Sequence, residues 1–186
     1  MAKEKKPEFV ITNMVASASL GLELDLFQLA EKIDGIEYEP EQFPGAILKF
    51  DDPKASLLIF KNGKIVCVGC KKRETIEKTV DKVKKLLLPY AQKILTNKKP
   101  QIEITNIVAA AELGLNLDLY KIAYKLDNVE YEPEQFPGAI LKFKKPKVSL
   151  LLFKNGKVIC AGAKNEDEIR KALKMAKSML KGYVEK

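Results

Sequence analysis

The chain has 186 residues, 46% of them hydrophobic and 31% charged, with a formal charge of +8 and an isoelectric point near 9.2. That length and apolar content support a buried core, in one large domain or two small ones, and argue against a disordered chain. The absence of histidine removes the commonest general base, the Ser-His and Cys-His pairs and the usual nitrogen ligand of zinc, so the composition speaks against an ordinary hydrolase or metalloenzyme.

In chain order, Phe9 to Ala18 carries Phe, Val, Ile and Thr and predicts a strand. Leu24 to Ile33 has apolar residues at Leu26, Leu29, Ala30 and Ile33, one face of a short helix. Glu37–Tyr38, a Pro44–Gly45 turn, and strands at Ala46 to Phe50 and Ala55 to Phe60 follow. Asn62–Gly63 is the strongest hairpin signal in the chain and joins LLIFK to KIVCV. A longer helix is expected from about Glu74 to Leu88, with Ile76, Val80, Val83 and Leu87 on one side and lysines on the other. Asn97-Lys98-Lys99-Pro100, polar and closed by proline, reads as a hinge.

The same order then recurs at a constant offset of 93 residues, from Tyr38 to Tyr131. Thr12-Asn13 returns as Thr105-Asn106, and YEPEQFPGAILKF from Tyr38 to Phe50 reappears unchanged from Tyr131 to Phe143. The longer helix repeats from about Glu166 to Leu180, with Ile169, Leu173, Ala176 and Leu180 on its apolar side. The expected division is residues 1–97 and 98–186, two copies related as a pseudo-twofold pair, each reading strand, helix, four strands, helix.

Charge points to an anionic partner. Lysine and arginine total 33 against 25 acids, and the only arginines are Arg73 and Arg170. Met1 to Lys6 lacks the apolar region of a secretory signal, and no apolar run approaches a membrane span of about 20 residues. A cytoplasmic protein with Cys67, Cys70 and Cys160 as free thiols is expected.

The strands add a second pointer. Leu57 to Phe60, Ile65 to Val68, Leu150 to Phe153 and Val158 to Ala161 are apolar on both sides, yet two helices per copy cover only one face of an antiparallel sheet. The other face must meet a partner. Pattern alone leaves open a homodimer or a doubled sheet sandwich, and, without a DNA role, a two-repeat apolar-face binding module.

Glu39-Pro40-Glu41-Gln42-Phe43-Pro44-Gly45, the Phe60-x-x-Gly63-Lys64 hairpin and Asn13-Met14-Val15, all repeated at the same offset, resemble the core domain of the TATA-box-binding protein family in its archaeal form. The resemblance runs from about Phe9 to the C-terminus. It implies an α+β fold: two pseudo-twofold repeats forming a saddle-shaped ten-stranded antiparallel sheet with four helices on the convex face and DNA under the concave one. It also implies a general transcription initiation factor, not an enzyme, with no cofactor and no metal. Such a factor binds the TATA box of double-stranded promoter DNA in the minor groove, bends it, and recruits transcription factor B and, through it, RNA polymerase. It acts as a nucleoid-associated monomer on DNA, and homodimerisation of the free chain stays open.

The family's DNA-intercalating positions fall on Phe43, Phe60, Phe136 and Phe153, where apolar wedges unstack a base step and pay for it with a wider wrapped surface. Asn13 and Asn106 fall at base-contacting positions, and an asparagine amide donates to adenine N3 and thymine O2 while guanine's amino group finds no acceptor. Counting by two along the strands adds Val15, Ile47, Leu58, Val66 and Val68, with Val108, Ile140, Leu151, Ile159 and Ala161. Val68 and Ala161 stand where the family often has threonine. Phosphate contacts fall on Lys49, Lys54, Lys64, Lys142, Lys147 and Lys157, point charges that make affinity strongly salt-dependent. Partner binding falls on the second-repeat stirrup at Glu132, Glu134 and Gln135, where the family commonly has leucine at the last. Because the first stirrup is identical, nearby charge, Asp51–Asp52 against Lys144–Lys145, is what distinguishes the ends. Cys67 and Cys70 form a CxxC, but strand residues three apart are expected on opposite faces, and the repeat keeps only Cys160.

Overall fold

Alternating apolar positions dominate the computed structural model, which describes residues 8–185. Two compact units divide the described residues: Asn13–Thr105, the first-repeat unit, and residues 106–185 with 8–12, the second-repeat unit. In the first-repeat unit, β1 (Phe9–Ser19, from Asn13 on), β3 (Ile36–Glu37), β4 (Ala46–Asp51), β5 (Lys54–Ile59) and β6 (Lys64–Cys70) lie in the order β3-β4-β5-β6-β1. The second-repeat unit places β8 (Ile102–Glu112, from Asn106 on), β9 (Val129–Glu130), β10 (Ala139–Lys144), β11 (Lys147–Leu152) and β12 (Lys157–Ala163) as β9-β10-β11-β12-β8. All ladders within the units are antiparallel, and each unit contributes five strands to them, ten in all.

Helices cover one face of each sheet. Helix α1 (Leu26–Lys32) starts at Asp25, whose carboxylate accepts from the Phe27 and Gln28 N–H groups at 3.0 and 3.1 Å. Its counterpart α3 (Leu119–Lys125) starts at Asp118, which accepts from Lys121 N–H at 3.0 Å. Helix α2 (Arg73–Leu87) buries Ile76, Val80, Val83 and Leu87 as its spacing requires, and α4 (Glu166–Leu180) buries Ile169, Leu173, Ala176 and Leu180. Under them the helix-facing residues Ala46, Leu48, Leu57, Ile59, Ile65 and Cys67, with Ala139, Leu141, Leu150, Leu152, Val158 and Cys160, are almost wholly buried. Each such Leu or Ile contributes roughly 1.5–3 kcal/mol by leaving water.

Two local features depart from the sequence reading. Each copy holds more than strand, helix, four strands, helix: the first has β2 (Leu22–Leu24) paired with β7 (Ala91–Ile94), and in the second this contact shrinks to one bridge, Leu117 to Val184. The Asn-Gly hairpin is not a two-residue turn. Phe60 N–H donates to Lys64 O and Gly63 N–H to Phe60 O, both at 2.9 Å, which leaves a three-residue loop with only the glycine at positive φ, +78°. Asn62 instead uses its side chain, whose Oδ1 accepts from Lys64 N–H at 3.1 Å. This loop is seated on the segment that follows β1: Leu20 and Leu24 N–H donate to Gly63 O and Lys61 O, both at 2.9 Å, and a Cβ on Gly63 would run into the Leu22 carbonyl. The second copy repeats the arrangement with Gly156 against Leu115.

Candidate nucleic-acid interface

The face of each sheet opposite its helices carries no covering element of its own unit, and its residues are half-buried instead of buried. In the first-repeat unit Val15, Ile47, Leu58, Val66 and Val68 alternate with the core positions along β1, β4, β5 and β6. The register makes them a continuous patch, because Val15 faces Val68, Val66 faces Leu58, and Leu58 faces Ile47 across neighbouring strands. Val108, Ile140, Leu151, Ile159 and Ala161 repeat it, with Ile140 facing Leu151 and Leu151 facing Ile159. Further residues share these registers, among them Ser17, Ser19, Ser56, Ser149, Ala110 and Glu112, the last opposite Lys157 where the first unit sets Ser19 opposite Lys64. Period-two counting along β1 and β8 places Ser17, Ala110 and Glu112 on this face, but small or charged side chains carry no apolar signal as strong as Val, Ile or Leu.

An aromatic pair stands at the edge of each patch. Phe43 and Phe60 meet edge to face, ring centroids 5.9 Å apart at 65°, and Phe136 and Phe153 do so at 6.0 Å and 65°. None is a core residue; Phe136 is 41% exposed and the others are half-buried. Gly45 and Gly138 make room for them, since an added Cβ would lie 2.8 Å from the Phe43 or Phe136 ring. The Pro-Gly turn is therefore required by the pair it supports.

The paired asparagines have a second task. Gly69 N–H donates to Asn13 Oδ1 at 2.9 Å, and Gly162 N–H to Asn106 Oδ1 at 2.7 Å. Both glycines sit where the strand register shifts, at φ of +98° and +97°, so each asparagine pins a β-bulge. With Oδ1 occupied, the amide NH₂ has no hydrogen-bond partner among the described residues and is left as a donor.

The same bulge overturns the expectation for the CxxC. One extra residue puts Cys67 and Cys70 on the same, helix-covered face, with Sγ atoms 3.7 Å apart. Burial, reinforced by the neighbouring Cys70, pushes the Cys67 thiol up to about 12, and burial with Glu168 nearby raises Cys160 to about 11. These are inert core thiols at neutral pH. No group of three or more metal-ligating side chains occurs among the described residues.

Lysines rim both patches. Lys49, Lys54 and Lys64, and Lys142, Lys147 and Lys157, are exposed and fall on the open-face registers. Lys142 holds Glu130 at 2.7 Å, a solvent-exposed pair worth about 0–1 kcal/mol. At the tip, Glu132 O accepts from Gln135 and Phe136 N–H at 2.9 and 3.0 Å, forming a turn that leaves Glu132, Glu134 and Gln135 exposed; Glu39, Gln42 and Phe43 form the equivalent turn.

A family model described as transcription factor TFIID (or TATA-binding protein, TBP) matches this chain twice, over residues 8–90 and 101–183. The chain belongs to the TATA-binding protein family. That family is one of transcription factors, not enzymes. The chain is 46% identical to a TATA-box-binding protein of Picrophilus torridus over 94% of this chain and 95% of that one. It is also 46% identical to one of Thermoplasma volcanium, covering 95% and 96%. Among solved structures it is similar to Methanococcus jannaschii TBP, with a TM-score of 0.85 and 41% identity over 95% of this chain and 99% of that one. No helix among the described residues is long and apolar enough to cross a membrane.

Proposed function

We propose that this chain is a general transcription initiation factor that binds TATA-box DNA in the minor groove and bends it. The observation that carries the reading is the repeated open face, apolar in its middle, donor-bearing at Asn13 and Asn106 and ended by Phe43–Phe60 and Phe136–Phe153. A minor groove of A·T pairs offers acceptors and a smooth apolar floor, which suits amide donors set among Val, Ile and Leu. A guanine amino group there meets a second donor, because each asparagine oxygen is already committed to a glycine N–H. The phenylalanine pairs act as wedges, most cheaply at flexible TA-type steps, and the bend brings phosphates to the rim lysines. Transcription factor B docks on the second-repeat stirrup around Glu132, Glu134 and Gln135 and brings RNA polymerase, with one chain bound per site.

A titration of A·T-rich against G·C-rich duplexes across salt concentrations tests the reading. The expected result is preference for the A·T duplex with affinity falling steeply as salt rises. Equal affinity for both defeats it. A chain that binds neither duplex and dimerises through its open faces is the apolar-face module instead.

A further inference from the structure

The turn between β4 and β5 is tied to the helix on the far side of its sheet by one lysine. Strand β4 ends in Lys49-Phe50-Asp51, β5 begins at Lys54, and Asp51 stands opposite Lys54 across the turn. Phe50 lies on the helix side of β4, two residues on from the buried Leu48, yet it is only half-buried. Lys82 of α2 closes over it. The Lys82 ammonium lies 4.3 Å from the Phe50 ring centroid and donates to the Asp52 carbonyl at 2.8 Å, so a single side chain grips both the strand end and the backbone of the turn. The second repeat holds the same place by other means: Phe143, the counterpart of Phe50, is 8% exposed, and Met175 of α4 stands at the position of Lys82.

From this clamp, and resting on the DNA-binding reading above, we infer that Lys82 is a positioning residue for DNA binding, acting through Lys49 and Lys54 and not by touching the duplex. Lys82 sits on the helix-covered side of the sheet, while Lys49 and Lys54 fall on the open-face registers. Its two anchor points, the Phe50 ring and the Asp52 carbonyl, are one and two residues from those lysines along the chain. Asp51 and Asp52 are repelled by the same phosphates that attract Lys49 and Lys54, so a turn left untied would move away from the duplex. A turn already ordered in the free chain also spares binding the conformational entropy of ordering it. The second repeat, with Lys144 and Lys145 in place of the two acids, faces no such repulsion and uses an apolar residue where the first uses a clamp.

The test titrates a fluorescent A·T-rich duplex with the full chain and with K82M, K82R, K49Q/K54Q and K49Q/K54Q/K82M, at a salt concentration low enough for the weakest of them to bind. K82M, which copies Met175, should weaken binding about threefold to tenfold while the thermal midpoint stays unchanged. K82R should restore wild-type affinity, because a guanidinium both stacks on the Phe50 ring and donates to the Asp52 carbonyl. In the K49Q/K54Q background K82M should cost nothing further, since the lysines that Lys82 positions are gone. An equal loss in both backgrounds makes Lys82 a DNA contact in its own right and overturns this inference. Wild-type affinity in K82M, or a loss that tracks a lowered thermal midpoint, overturns it too. Absence of binding by the unaltered chain overturns the DNA-binding reading along with it.

Discussion

Compared side by side, the two repeats agree where side chains pack and disagree where they meet solvent. The aromatic pairs differ by 0.1 Å in centroid separation and not at all in angle, and both bulges are held by an asparagine on a left-handed glycine. Yet one hairpin turn is acidic and the other basic, and α4 begins with an asparagine cap and three acids where α2 begins with Lys72–Arg73 and no side-chain cap. Close packing tolerates little change of volume or backbone path, so both copies keep the same solution. Exposed charge costs a few tenths of a kcal/mol to alter and is free to diverge.

The largest expected effect breaks the agreement at its tightest point. Gly63→Ala and Gly156→Ala each place a methyl against a leucine carbonyl at positive φ, and each should lower unfolding free energy by about 3 kcal/mol or more in denaturant titration. Equal losses uphold the equivalence of the repeats; tolerance in one copy ends it.

Removing the aromatics comes next. Phe43→Ala with Phe60→Ala, or Phe136→Ala with Phe153→Ala, should abolish most of the DNA bend at that repeat, read by energy transfer between duplex ends. The stability cost should stay well below the roughly 3–5 kcal/mol per residue of a core phenylalanine, because these rings are half-exposed. Full bending with a large stability loss would return them to the core.

Asn13→Asp and Asn106→Asp separate the two duties of one side chain. Aspartate still accepts from Gly69 or Gly162 N–H, so stability should hold, but it has no donor for A·T acceptors. Affinity for A·T DNA should fall at least about tenfold, or about 1.4 kcal/mol, in either repeat. Loss of stability without loss of affinity would make the asparagines bulge supports only.

The smallest effect concerns the thiols. Both are raised in the folded chain, so their contribution to stability is complete below the ordinary thiol value near 9. It is lost as pH climbs through about 11 for Cys160 and about 12 for Cys67, because the unfolded chain releases these protons first. Denaturation midpoints should therefore fall across that alkaline range. Cys70→Ala, which copies Ala163, should bring Cys67 down toward Cys160 in a spectroscopic thiol titration. No change would remove Cys70 as a cause.

Period-two alternation, heptad-like spacing in α2 and α4 and the repeated YEPEQFPGAILKF were enough to place helices, core and open-face residues within a residue or two. What stayed hidden were features that depend on a partner distant in sequence. Gly69 reads as an ordinary strand glycine until Asn13 reaches it, 56 positions away. Cys67 and Cys70 appeared to face opposite ways because strand counting assumes an unbroken ladder, and the bulge breaks it. The pairing of β2 with β7 escaped notice because a three-residue strand carries too few residues for a period to show.

The sequence by itself determined the doubled architecture, the exclusion of histidine chemistry and the excess of lysine, since composition and periodicity are properties of the chain before it folds. Tertiary structure alone decided that the Asn13 and Asn106 oxygens are spent internally and their amides left over, and that glycine must follow proline beneath the aromatic pair. Each depends on which backbone groups and side chains close packing brings within a few ångströms. That proximity turns a surplus of eight positive charges into a rim around an apolar face.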